Sequence, residues 1–190
     1  TRIPIAAVTH HIRPHLDLIP SNIDLAGAEL QLVGMMGREF IMRDALANIR
    51  AQYNFVLIDC PPSLGLLTVN ALVAADEILV PLQCEFLAMR GLDALIDVVA
   101  RVQRRLNPNL RMLGIVPTMY NPRRVHAREV LEKVRTSYPN KLLGVEIKES
   151  IKFAEAPSQH RTLFEIDKTN EGAEGYRKLA EAILNAEQPK

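Results

Sequence analysis

The sequence predicts an α/β fold with a mostly parallel sheet and helices on both faces. Short, continuously apolar runs alternate with longer segments of helical periodicity. Such apolar runs are typical of strands buried on both faces, as in parallel sheets. The 190 residues are 48% hydrophobic, which suffices for a compact domain with an apolar core. Because no repeat or linker divides the chain, we predict a single domain over residues 1–190.

The predicted elements alternate between helix and strand after two initial helices. Apolar residues at helical spacing predict those two helices over 25–32, with Asp24 as a possible cap, and over 40–49. The remaining elements, in chain order, are a strand at Phe55–Ile58, a helix over 64–74, a strand at Ile78–Val80 stopped by Pro81, a helix over 88–106, a strand at 113–116, a helix over 125–138, a strand at 142–147 and a helix over 170–186. Right-handed crossovers between parallel strands follow from this order.

Charge is balanced overall but uneven along the chain. The net charge is +1, whereas residues 101–135 contain nine Lys/Arg and two Asp/Glu. This distribution permits a local anion-binding face, although a solvated helix face explains the same charges. No apolar run is long enough to cross a bilayer. Cys60 and Cys84 form no CxxC pair, and buried reduced thiols are the simplest interpretation of them.

Asp59 directly follows the first predicted strand. A carboxylate there lies at the carboxyl edge of a parallel sheet, where α/β folds bind their ligands. It can hold Mg²⁺ through a water molecule while the metal neutralises nucleotide phosphates. The alternative is an Asp that merely caps the next turn, because an apolar strand ending in Asp is common.

A longer string around Asp59 is more specific. Asp59-Cys60-Pro61-Pro62-Ser63-Leu64-Gly65, followed by Thr68-Val69-Asn70-Ala71-Leu72, closely resembles the Walker B region of the ParA/Soj partition ATPases, relatives of MinD. Further stretches that resemble this family in the same order are Ile19–Asn22, Leu25–Glu29, Val80–Glu85, Pro117–Asn121, Phe153–Ser158 and Lys168–Ala173. The resemblance therefore covers almost the whole chain and implies a P-loop NTPase-like fold of the deviant Walker type.

The resemblance also implies a nucleotide site that uses ATP and Mg²⁺. Asp59 becomes the Walker B carboxylate that holds Mg²⁺ via water, and Thr118, Ile147 and Lys148 become residues on the adenine side. The family commonly has Ile-Pro-Arg where this chain reads Ile147-Lys148-Glu149, so the adenine wall departs from the pattern. No catalytic residue is assigned within this chain.

The partners implied by the resemblance are non-specific DNA, a ParB-like protein and a second copy of the chain in a homodimer. DNA contacts map onto Arg123 and Lys152, and both positions are basic here. The C-terminal helix carries acidic residues and few bulky apolar ones, so no membrane binding is expected, in contrast to MinD. The implied location is cytoplasmic and nucleoid-associated.

A Gly-rich loop ending in Gly-Lys-Ser/Thr is absent from the sequence. That loop supplies the amides and the lysine that hold phosphates, and its strand is normally central in the sheet. Either the first part of a ParA-like protein is missing, or the chain is a shortened, non-enzymatic paralogue that acts as a DNA-binding or dimerisation module. We prefer the first alternative, because a sheet without its central strand leaves unpaired edges. The chain alone is expected to bind ATP negligibly.

Overall fold

A computed structural model describes residues 3–186, so the ends of the predicted domain, residues 1–2 and 187–190, lie outside the described residues. The helices are α1 (Leu25–Leu32), α2 (Ile41–Leu46), α3 (Leu66–Ala74), α4 (Phe86–Arg105), α5 (Val125–Ser137), α6 (Lys152–Ser158), α7 (Leu163–Ile166) and α8 (Glu171–Ala186). The strands are β1 (His10–Arg13), β2 (Leu16–Leu18), β3 (Glu77–Gln83) and β4 (Arg111–Thr118), and short 3₁₀ turns cover Ile5–Val8, Arg38–Phe40 and Arg50–Gln52.

The chain forms two compact units. The first contains the residues up to Asp76 together with Leu95–Leu110, and the second contains Glu77–Ala94 and the residues from Arg111 onward. Helix α4 contributes to both, since the division falls between Ala94 and Leu95.

The second unit is built on parallel strands. Strand β3 pairs with β4 in parallel register from Glu77 opposite Arg111 to Gln83 opposite Thr118. Pro81 lies within β3, so the expectation that it stops the strand is wrong. A proline removes one backbone donor, and an edge strand tolerates this loss. Among residues 3–186, β3 pairs on one side only.

The predicted strand over 142–147 runs beside β4 as an interrupted parallel ladder. The amide of Leu143 donates to the carbonyl of Ile115 at 3.0 Å, and that of Ile147 donates to Pro117 at 2.8 Å. Between these two hydrogen bonds β4 advances by two residues, whereas the partner segment advances by four. The two extra residues interrupt the pairing, so the segment forms isolated bridges and not a regular strand. The sequence prediction placed this segment correctly in the sheet but missed the interruption.

The core of the second unit lies between this interrupted segment and α8. Val116, Val145, Ile147 and Leu179 form one buried cluster. Gly175 of α8 permits the close approach, since a Cβ there would lie 2.8 Å from the carbonyl oxygen of Glu146. The helix is amphipathic, as its apolar spacing predicts, and packs by one face.

The core of the first unit is centred on α3. Ala71, Leu72 and Val73 are buried, as expected of a helix that is apolar around most of its circumference. Asn70, also buried, accepts from the amide of Met42 at 3.1 Å and donates to the carbonyl of Arg38 at 2.8 Å. One polar side chain therefore ties the segment before α2 and the start of α2 to α3.

The predicted buried strand at Phe55–Ile58 is wrong. These residues belong to no strand, and Phe55, Val56 and Leu57 are 41%, 42% and 89% exposed. An apolar run can be buried in a sheet only if neighbouring strands cover it and accept its backbone hydrogen bonds. No described strand pairs with this segment.

No helix within residues 3–186 is long and apolar enough to cross a membrane.

Candidate functional site

Asp59 lies in an irregular segment between the 3₁₀ turn at Arg50–Gln52 and α3. Its side chain is exposed and makes no hydrogen bond or ion pair with any described residue. The neighbouring Cys60 is exposed, so the expectation of a buried thiol is wrong there; its pKa is raised first by desolvation of the thiolate and then by the Asp59 charge. An unpaired, accessible carboxylate is the type of oxygen ligand that Mg²⁺ takes, usually alongside waters. Asp59 therefore fits a metal-facing role.

The segment that follows Asp59 is fixed at its far end by the start of α3. The Thr68 hydroxyl donates to the carbonyl of Ser63 at 2.5 Å, which closes the turn before the helix. The backbone amide of Leu66 donates to the Glu29 carboxylate, which comes from α1. Glu29 lies in the stretch Leu25–Glu29 that resembles the family, but its contact with Leu66 was not predicted, because a contact across 37 positions leaves no local signal.

The carboxyl end of the β3–β4 pair carries Thr118. It lies opposite Gln83, and the Gln83 side-chain amide donates to the Met119 sulfur at 3.2 Å. Met119 has a φ of +50°, an uncommon backbone conformation for a side chain of this size. Two parallel strands therefore end together at this edge, as the sequence predicts for the sheet.

Ile147 and Lys148 reach the same edge. The amide of Tyr120 donates to the carbonyl of Ile147 at 3.0 Å, and Lys148 forms a parallel bridge with Tyr120. Ile147 is 2% exposed and belongs to the core cluster, whereas the Lys148 ammonium lies 3.2 Å from the Glu171 carboxylate on the surface. The structure thus brings Thr118, Ile147 and Lys148 together, with Thr118 and Lys148 the more accessible side chains.

Basic residues surround the turn before α5. Arg123 is exposed, and its side chain makes no ion pair with a described residue. Its backbone amide donates to Asn121 at 3.0 Å, which shapes the turn. Arg124 pairs with Glu149 at 3.0 Å, so the turn is joined to the segment that leads into Lys152.

Lys152, the other predicted DNA contact, already has an ionic partner. Its ammonium lies 2.6 Å from the Glu155 carboxylate one turn further along α6. The pKa of Lys152 is raised, first by this hydrogen bond, then by the Glu155 charge and more weakly by Asp167. A phosphate that binds Lys152 must compete with Glu155.

The acidic, His and Cys side chains of the described residues form no multi-residue metal site. Within residues 3–186 no group of three or more His, Cys, Asp or Glu could hold a metal ion. His11 instead pairs with Asp17 at 2.8 Å across the β1–β2 hairpin, and the Tyr53 hydroxyl donates to the same carboxylate at 2.6 Å. These three residues line a small open pocket in the first unit together with Thr9 and Gln52.

The profile of a family described as an AAA domain matches residues 3–112. The chain is 41% identical over 176 residues to the chromosome partitioning protein ParA of Myxococcus xanthus, covering 93% of this chain and 62% of that protein. It is 44% identical over 170 residues to the chromosome-partitioning ATPase Soj of Treponema pallidum, covering 90% and 67% respectively. The chain thus spans about two thirds of the length of these relatives.

Solved structures share the fold. The cobyrinic acid a,c-diamide synthase of Mycobacterium smegmatis, solved with an ATP analog and magnesium, superposes with a TM-score of 0.81 at 38% identity, over 96% of this chain and 67% of that one. Cyanothece McdA in complex with ATP superposes with a TM-score of 0.85 at 18% identity, over 95% and 71%, and shows the fold alone. The chain therefore has an α/β fold of the P-loop NTPase class.

Within that class the family is defined by the sequence matches along nearly the whole chain. The chain belongs to the ParA/Soj family of chromosome-partitioning ATPases.

Proposed function

We propose that this chain carries the metal-facing, adenine-side and DNA-facing parts of a ParA-type partition ATPase. The observation that carries the proposal is Asp59, an exposed and unpaired carboxylate within a string that resembles the family's Walker B region. In a complete site the bound Mg²⁺ would neutralise charge on the nucleotide phosphates. Asp59 would hold that metal through water, and Thr118 and Lys148 would flank the adenine beside the Ile147 backbone.

The phosphate-holding part of such a site is not in this sequence. Without a Gly-Lys-Thr loop, Mg·ATP loses most of its ligands, so the chain alone should bind ATP negligibly. Isothermal titration calorimetry with Mg·ATP tests this expectation. Micromolar binding to the chain would refute it and would show that other residues cradle the phosphates.

Non-specific DNA is the proposed macromolecular partner, and the protein is proposed to act in the cytoplasm at the nucleoid. Arg123 offers an unpaired guanidinium and Lys152 an ammonium shared with Glu155. Phosphate contacts of this kind give affinity that depends on salt and not on sequence. ATP-dependent homodimerisation and hydrolysis stimulated by a ParB-like protein complete the proposed cycle.

Gel shifts with random-sequence DNA over a salt series test the DNA proposal. Arg123→Glu and Lys152→Glu should each remove most binding, and the double variant should abolish it. Lys178→Glu on α8 is the matched control, since it makes the same charge change at an exposed lysine outside the proposed surface. If all three single variants lose the same DNA affinity, the loss reflects net charge and not specific contacts by Arg123 and Lys152.

A second candidate is a non-enzymatic DNA-binding or dimerisation module, favoured by the missing phosphate loop. The reading frame upstream of Thr1 distinguishes the two. A Lys-Gly-Gly-x-Gly-Lys-Thr-Thr string there supports the ATPase, and a start codon at this position supports the module.

A further inference from the structure

Helix α1 is held to its unit by little apolar burial. None of its residues is buried, and Leu30 is 80% exposed. The element that it contacts most is α3. A helix of eight residues is too short to persist in water without tertiary contacts. The position of α1 must therefore depend on a few specific interactions with α3.

One such interaction is polar. The Glu29 carboxylate of α1 accepts the backbone amide of Leu66, the first residue of α3. The residue before it, Gly65, has no side chain that could cap the helix, and no local side chain does so. A carboxylate at this position satisfies an orphan amide and interacts favourably with the positive end of the helix dipole.

Gly65 makes room for this contact. A Cβ at position 65 would overlap the Glu29 Oε1 atom, so the carboxylate occupies the space that any other side chain would fill. The backbone of Gly65 is in the extended region, which every residue can adopt. A side chain at position 65 would therefore displace the flexible Glu29 carboxylate without straining the backbone.

We propose that Glu29 acts as a latch that holds α1 on the first turn of α3 and whose release frees α1 while α3 stays folded. Helix α3 has anchors of its own, since Asn70 joins it to the segment 38–42 and Asn107 binds the carbonyls at its other end. Residues 60–64 join Asp59 to the latched turn. Release would therefore change the surroundings of that segment, and the latch itself requires no bound nucleotide or metal.

Hydrogen–deuterium exchange of the whole chain, read at peptide level, tests the latch. In Glu29→Ala, amides of residues 25–32 should exchange about tenfold faster, because a hydrogen bond to a charged group is lost. Amides of residues 67–74 should keep their protection. Gly65→Ala should reproduce this pattern by displacing the carboxylate. Glu29→Gln retains an acceptor oxygen and should show a smaller increase.

Gln31→Ala is the matched control, because it alters an exposed side chain on the same helix and should leave exchange unchanged. Two results would overturn the proposal. Unchanged exchange over residues 25–32 in both Glu29→Ala and Gly65→Ala would show that other contacts hold α1. Equal acceleration over residues 25–32 and 67–74 would show that Glu29 supports the unit as a whole.

Discussion

The side-chain amide of Asn107 lies 2.7 Å from the carbonyl oxygen of Ala75 and also donates to the carbonyls of Leu72 and Val73. The last carbonyls of a helix have no partner within the helix, and here the two N–H groups of one asparagine reach two of them, Leu72 and Val73, and that of Ala75 just beyond the helix. Asn107 belongs to the same unit as α3, although 32 positions separate it from Ala75. It therefore closes the carboxyl end of α3.

Asn107→Ala should destabilise the first unit by about 1–3 kcal/mol, because partly buried carbonyls lose their donors. Urea unfolding followed by circular dichroism measures the loss. Asn109→Ala, an exposed asparagine two residues away, should change the free energy of unfolding by less than about 0.5 kcal/mol. Equal effects of the two substitutions would contradict the capping role.

Two glycine-to-alanine substitutions should have opposite signs. At Gly175, a Cβ would lie 2.8 Å from the Glu146 carbonyl and 3.0 Å from the Ile147 Cδ1 atom, so Gly175→Ala should cost about 1–3 kcal/mol. At Gly91 in α4, a Cβ meets no atom within 4 Å, and Gly91→Ala should stabilise by about 0.5–1 kcal/mol. Thermal unfolding compares them directly, and a stabilising Gly175→Ala would be inconsistent with the close approach of α8.

Glu155→Gln should strengthen non-specific DNA binding if Lys152 is a phosphate contact. The substitution removes the carboxylate that lies 2.6 Å from the Lys152 ammonium and competes with phosphate. We expect a gain of about two- to fivefold at low salt, read by fluorescence anisotropy over a salt series. Glu181→Gln on α8 makes the same change in net charge at an exposed site. If Glu181→Gln raises DNA affinity by the same factor, the gain comes from net charge and not from the release of Lys152.

Acid stability should depend on Asp17. Its pKa is lowered, first by the Tyr53 hydrogen bond and then by His11. A carboxyl group with a lowered folded-state pKa stabilises the fold above its unfolded value, near 3.8 here, and this stabilisation is lost as the pH falls through the lower folded value. Tyr53→Phe should therefore weaken the pH dependence of urea unfolding between about pH 2 and 5.

Tyr176→Phe is the control for this experiment, since Tyr176 is 43% exposed on α8 and should leave the acid limb unchanged. The opposite ranking of the two variants would contradict the assignment to Asp17.

Tyr53 itself has a raised pKa, caused first by Asp17, so its protonated form is favoured in the folded chain. The stabilisation from Tyr53 is present below pH 10 and is lost as the pH rises through the folded value.

Periodicity predicted most helices and the strands β3 and β4, because the spacing of apolar residues in those segments matches the structure that they form. Helices α4 and α8, for example, are amphipathic in the structure, as the spacing of their apolar residues predicts. The run Phe55–Ile58 failed because an apolar sequence specifies a need for burial but not the strand that provides it. The interruption between residues 143 and 147 could not be predicted either, since no local sequence feature indicates that this segment has two more residues than the part of β4 it pairs with.

The candidate site was recognised through its string of residues and not through geometry. The string around Asp59 marked the family, and the structure adds that its carboxylate is exposed and unpaired among the described residues. The contacts of Glu29, Asn70 and Asn107 with other elements were not predicted, because the partners in those contacts are 28 to 37 positions away. An asparagine inside an apolar helix such as α3 was the one available signal, since that residue is disfavoured there unless it is hydrogen-bonded.

The buried amide of Asn70 provides a natural spectroscopic probe. Its nitrogen donates to Arg38 at 2.8 Å and to Leu66 at 3.0 Å, so both protons of one NH₂ group are shielded from water. In a ¹⁵N-correlated NMR spectrum such a group gives a pair of well-dispersed side-chain resonances that resist solvent saturation. That pair would follow the docking of residues 38–42 on α3 in real time, without any label foreign to the chain.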